Sequence, residues 1–148
     1  MKKIFFLLIL ISFSNIIYAD IPKKYLSLKN NIVNVRYGPG LNYPIKYVYK
    51  KKYLPVKIID QKENFRKIID FKKNSGWIHI SQLTKPNSLI ILENKILFKK
   101  PSKFSKPIAI LKKGRLLLIT KCKYNWCRVK TDNYKGWIKN KEVWGSLK

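Results

Sequence analysis

From Ile32 onward the chain is a succession of short β-branched and aromatic runs separated by Gly, Pro, Asn and Lys, with almost no helical period. Runs at 32–35, 45–49, 56–59, 65–69 and 77–80 each predict a strand of four or five residues. The pattern resumes at 89–92, 96–98, 108–111, 116–119, 126–130 and 136–139. A strand about every ten residues is the spacing of a small barrel or sandwich, because each strand crosses a thin core once and must then turn.

Landmarks repeat along with the period. Pro39 stands 38 residues before Trp77, and Pro101 stands 36 before Trp137. Asn64-Phe65-Arg66 precedes Gly76-Trp77-Ile78 much as Asn125-Trp126-Cys127-Arg128 precedes Gly136-Trp137-Ile138. The expected fold class is therefore all-β, with two tandem small barrels at 31–83 and 89–148, joined by a polar, Pro-containing linker at 84–88. So short a linker predicts modules that pack on one another.

The N-terminal residues have a different character. Met1-Lys2-Lys3, an apolar stretch from Ile4 to Ile11 and a small residue at Ala19 come in the order of a secretory signal peptide. The apolar block is short against the roughly 20 residues of a membrane span. The expectation is a signal peptide at 1–19 cleaved after Ala19, a mature leader at 20–30, no transmembrane segment in the mature chain, and a destination in the periplasm or medium.

Cleavage there leaves 31 basic against 7 acidic residues, a formal charge of +24. Such a charge attracts polyanions. Yet 29 of the 33 basic residues are lysine, and with 21 isoleucines and 12 asparagines this also matches the drift of an AT-rich genome. Both readings stand. Lysine is a point charge without the bidentate fork of arginine, so the composition indicates loose attraction and no specific nucleic-acid partner.

Catalysis and cofactor binding find little to work with. His79 is the sole histidine, the seven acids are scattered, and neither a Gly-rich phosphate loop nor a nucleophile elbow occurs. The expectation is a protein without enzyme activity, metal or cofactor. Cys122 and Cys127 bracket a turn-like segment between two predicted strands, and in an exported chain they are expected to pair as a disulfide.

Asn34-Val35-Arg36-Tyr37-Gly38-Pro39-Gly40 resembles the opening of bacterial SH3-like domains, in which a strand carrying N-V-R runs into a G-P-G turn. Gly76-Trp77-Ile78 through Leu83 is similar to the family's closing strand. The second repeat keeps Gly136-Trp137-Ile138 but has Phe98-Lys99-Lys100-Pro101 where the opening turn belongs. The tandem arrangement, with its Cys pair and Trp144-Gly145, also resembles exported tandem SH3-like proteins.

In physical terms, Gly38, Pro39 and Gly40 read as a turn in which the glycines supply positive φ, and Gly76 lets a strand start close to its neighbour. The resemblance implies a binding groove of aromatic residues near the first long loop and the closing strand: Tyr37, Tyr43 and Trp77, with Trp126 and Trp137 in the second repeat. It implies as partner a cell-wall peptide or glycan, or an envelope protein. The rivals are an envelope adaptor and a lysine-rich polycation on anionic surfaces.

Overall fold

The structure, a computed structural model, describes residues 24–147. The expected signal peptide and its cleavage point lie outside the described residues. In the first module β1 (Tyr25–Leu28), β2 (Val33–Arg36), β3 (Ile45–Tyr49), β4 (Pro55–Lys62), β5 (Phe65–Ile69) and β6 (Ser75–His79) lead through a 3₁₀ turn, Ile80–Gln82, to β7 (Leu83–Thr84). The second comprises β8 (Ser88–Ile91), β9 (Lys95–Phe98), β10 (Pro107–Leu111), β11 (Leu116–Lys123), β12 (Trp126–Lys130), β13 (Lys135–Lys139) and β14 (Val143–Gly145).

Each module is one seven-stranded antiparallel sheet, ordered β3-β2-β6-β5-β4-β1-β7 and β10-β9-β13-β12-β11-β8-β14. The two orders are the same topology. Even the irregularities repeat: β4 slips register against β5 between Ile58 and Asp60, and β11 against β12 between Ile119 and Lys121. Such bulges bend the long strands so that each serves both walls of its barrel. Alternation puts Val33, Val35, Ile68 and Ile78 into the first core, and Leu97, Leu117, Val129 and Ile138 into the second.

The segment expected to be a leader is corrected in part: Tyr25–Leu28 is a sheet strand, paired with β4 on one side and β7 on the other. Its Ser27 and Leu28 are both fully buried, Leu28 in the core of the first module and Ser27 against Ser88 of the second. The expected linker is likewise shortened at both ends, since Thr84 belongs to β7 and Ser88 to β8.

β8 is buried along its whole length. Leu89 and Ile91 enter the second core while Ile90 enters the first. Around it, Ser27 Oγ and Ser88 Oγ hydrogen-bond at 3.0 Å, Ser88 Oγ also donates to the Tyr53 carbonyl, and Trp144 Nε1 donates to Pro55 O at 3.1 Å. The Trp144 ring meets Tyr25 edge to face at 5.3 Å. The modules share a packed seam.

Candidate functional site

In the first module, Arg36 closes the loop that follows β2 by donating from Nη1 to the Tyr43 carbonyl at 2.7 Å. Gly40 N donates to Gly38 O at 3.0 Å and Tyr43 N to Gly40 O at 3.3 Å. The Tyr43 ring packs against this turn: a Cβ at Gly38 would clash with ring carbons of Tyr43, whereas one at Gly40 would clash first with Asn42 Oδ1 and sit 3.3 Å from the ring. Neither glycine has positive φ. The expected reason for them is thus corrected, for Gly38 makes room for the Tyr43 ring and Gly40 for the Asn42 side chain, and neither reaches left-handed backbone.

The second module makes the same turn without glycine. Ser102 N donates to Lys100 O at 2.8 Å and Ser105 N to Ser102 O at 3.2 Å, repeating the pattern of Gly40 and Tyr43. Ser105 stands where Tyr43 stood, so no ring demands the space and Lys100 replaces Gly38. Gly76 and Gly136 do serve close approach, facing Arg36 O and Phe98 O respectively.

Tyr37 is 63% exposed, and Lys46 Nζ lies 5.7 Å from the centre of its ring while donating to Ser75 O at 3.0 Å. Trp77 is half-buried on the outer face of β6, in register with Arg36 and Lys67. Among the described residues no ring contact joins Trp77 to Tyr37 or Tyr43.

The second module brings its rings closer together. Trp137 is in register with Phe98 on one side and Arg128 on the other. Phe98 and Trp126 meet edge to face at 5.7 Å, Lys121 Nζ lies 5.5 Å from the Trp137 ring, and Lys139 Nζ lies 5.9 Å from Trp126. Beside them is a concavity of about 360 Å³ whose lining includes Ile96, Phe98, Lys103 and Lys139. Partial loss of solvent, and then the neighbouring Lys103 and Lys141, push the Lys139 pKa down. Phe98 is not among the aromatic residues expected at a groove, because in the sequence it closes a predicted strand at 96–98 and opens the Phe98-Lys99-Lys100-Pro101 departure from the turn pattern. The signal was present, since aligning the repeats puts Phe98 beside Trp137 as Arg36 is beside Trp77.

Groups that might have carried chemistry are engaged structurally. His79 Nδ1 lies 2.7 Å from Ser81 Oγ at the start of the 3₁₀ turn, and its ring stands edge-on to Phe65 at 5.1 Å. Cys122 and Cys127 form a disulfide. Buried Asp70 accepts from Lys72 N and Asn74 N at 2.9 Å, and from Asn74 Nδ2 and the Tyr49 hydroxyl at 3.0 Å. Burial, foremost, and the phenol of Tyr47 push the Tyr49 pKa well above its ordinary value. Among the described residues no cluster of His, Cys, Asp and Glu is fit to hold a metal.

Two solved structures resemble the chain distantly: NlpC2 from Trichomonas vaginalis, at 16% identity and TM-score 0.38, and NlpC1 from the same organism, at 15% and 0.37. The alignments cover 82% of this chain, but 48% and 45% of theirs, so the chain spans less than half the length of either. No curated protein matches the chain. The model of the bacterial SH3 domain family matches it twice, over residues 29–85 and 93–145, one match to each barrel. With that, and with the same seven-strand topology built twice, the chain belongs to the bacterial SH3 domain family and carries the domain in tandem.

Proposed function

We propose that this protein is an exported, non-enzymatic binding module that takes a cell-wall peptide or glycan, or an envelope protein, on the aromatic outer faces of its barrels. The observation that supports it best is the Phe98–Trp126 pair beside a concavity with Lys103 and Lys139 at its rim. Aromatic rings supply rigid contact area at little entropic cost, and the lysines add attraction. Tyr37 beneath Lys46 is the corresponding feature of the first module. A binding role without catalysis is supported by the engagement of His79 with Ser81 and of both cysteines with each other.

Retention on purified peptidoglycan tests this reading. Trp126→Ala and Tyr37→Ala, each shown by circular dichroism to be folded, should lose most retention at physiological salt, whereas added salt should weaken only the lysine contribution. Folded variants that bind like the parent, together with loss of all binding in moderate salt, would leave only a polycation on an anionic surface.

A further inference from the structure

We propose that the cleft along the seam of the two modules is a second binding site, for an anionic glycan: a sugar chain carrying phosphate or carboxylate groups. Three contiguous concavities of about 460, 380 and 340 Å³ lie there. The first two share Leu116, Thr131 and Asp132, and the first and third share Lys51 and Gly114. Lys51 comes from the first module and Lys112 through Arg115 from the second, so the site exists only because the barrels are packed together.

The cleft is cationic well beyond its own counter-charges. Lys51, Lys72, Lys112, Lys113, Arg115 and Lys130 line it, against Asp70 and Asp132. Asp70 is buried and already accepts four hydrogen bonds from its own turn and Tyr49. Asp132 reaches only Arg115, at 3.4 Å. Arg115 is oriented beforehand, with Nε and Nη2 donating to Thr131 Oγ1 at 3.1 and 2.9 Å. At the tip beside it, Gly114 has φ +83° and open space where a Cβ would be, so the turn that carries Lys112 and Lys113 is uncrowded at this point. Compositional drift spreads lysine over a surface at large and gives no reason for cations of two modules to converge on one cleft.

A chain ligand suits a cleft of this extent, and lysine point charges suit anionic groups that follow one another along a flexible chain. The rings argue against nucleic acid as the occupant. Tyr53 has Lys52 Nζ 4.9 Å from its centre and Phe71 has Lys72 Nζ at 5.7 Å, so each ring already carries an ammonium group on one face and offers a base less stacking surface. An ammonium above a ring remains a good wall for a charged sugar.

The test uses the mature, disulfide-bonded chain, titrated calorimetrically at about 0.15 M salt with polygalacturonate, dextran phosphate and neutral dextran. Two charge-matched triples are compared: Lys51→Gln/Lys112→Gln/Lys113→Gln in the cleft, and Lys29→Gln/Lys62→Gln/Lys106→Gln at exposed positions lining none of the three concavities. The cleft triple should lose about tenfold or more in affinity for the anionic glycans, the control triple about twofold or less, and neutral dextran should not bind. Equal losses in the two triples would show that charge anywhere suffices and overturn the site. So would absence of binding to both anionic glycans. A single-stranded oligonucleotide that binds more tightly than either, with the same dependence on the cleft lysines, would replace the proposed ligand. Peptidoglycan retention through Trp126 is read separately, so either proposal can fail alone.

Discussion

Leu89 and Ile90 are consecutive residues that belong to different hydrophobic cores, Leu89 to that of the second barrel and Ile90 to that of the first. Ile90 is 1% exposed, and it is held there by a strand whose next-door residues are equally buried in the other direction. A strand covered on both faces reads as a continuous apolar run, which is how Leu89-Ile90-Ile91-Leu92 appears.

Because that strand serves both cores, the modules should unfold as one unit. Ile90→Ala should cost about 2–5 kcal/mol and lower the stability of both barrels together. Native-state hydrogen exchange at Val35 and Val129 amides, one in each core, reads this directly. Exchange that accelerates at Val35 alone would show the modules to be energetically separate.

Gly38 and Tyr43 should be coupled in the same measurable way. Gly38→Ala drives a methyl into the Tyr43 ring and should destabilise by about 1–3 kcal/mol although its φ is ordinary. Tyr43→Ser, which copies Ser105 of the second module, should remove most of that penalty in the double variant. Additive losses by chemical denaturation would mean the ring and the glycine act independently.

The disulfide closes a hairpin in which Cys122 and Cys127 are cross-strand partners, in the place that Gln61 and Arg66 occupy in the first module. The loop is short, so reduction should cost only about 2 kcal/mol and leave the chain folded. Denaturant midpoints with and without reductant measure it. Alkylation of unreduced native protein should modify neither thiol.

Alkaline pH should expose the Tyr49–Asp70 contact. Burial makes the folded chain keep the Tyr49 proton, with a pKa raised above the ordinary tyrosine value of about 10, while the unfolded chain releases it near that value. Stability from this group is therefore fully present below about pH 10 and declines as pH rises above it. Tyr49→Phe should be less stable at neutral pH, having lost the bond to Asp70, but should show a shallower alkaline decline. Equal slopes for the parent and the variant would refute the assignment.

Much of the architecture was legible from local chemistry. Period-two alternation, the recurrence of Gly-Trp-Ile and the spacing of turns determined the all-β class, the two repeats and eleven of the fourteen strands, all but the short β1, β7 and β14, because a strand's inward face is written into its own residues. The pairing of Cys122 with Cys127 was equally local, being confined to one hairpin. Tertiary structure decided what distant segments do to one another. Tyr25–Leu28 became a strand by pairing with β4 and β7, Gly38 was set by a ring five residues away, and Phe98 joined Trp126 through folding of β9 beside β13. The lysines were uninformative as composition, since a charge count has no position; folding gathered Lys51, Lys112, Lys113 and Arg115 along one cleft where their fields add.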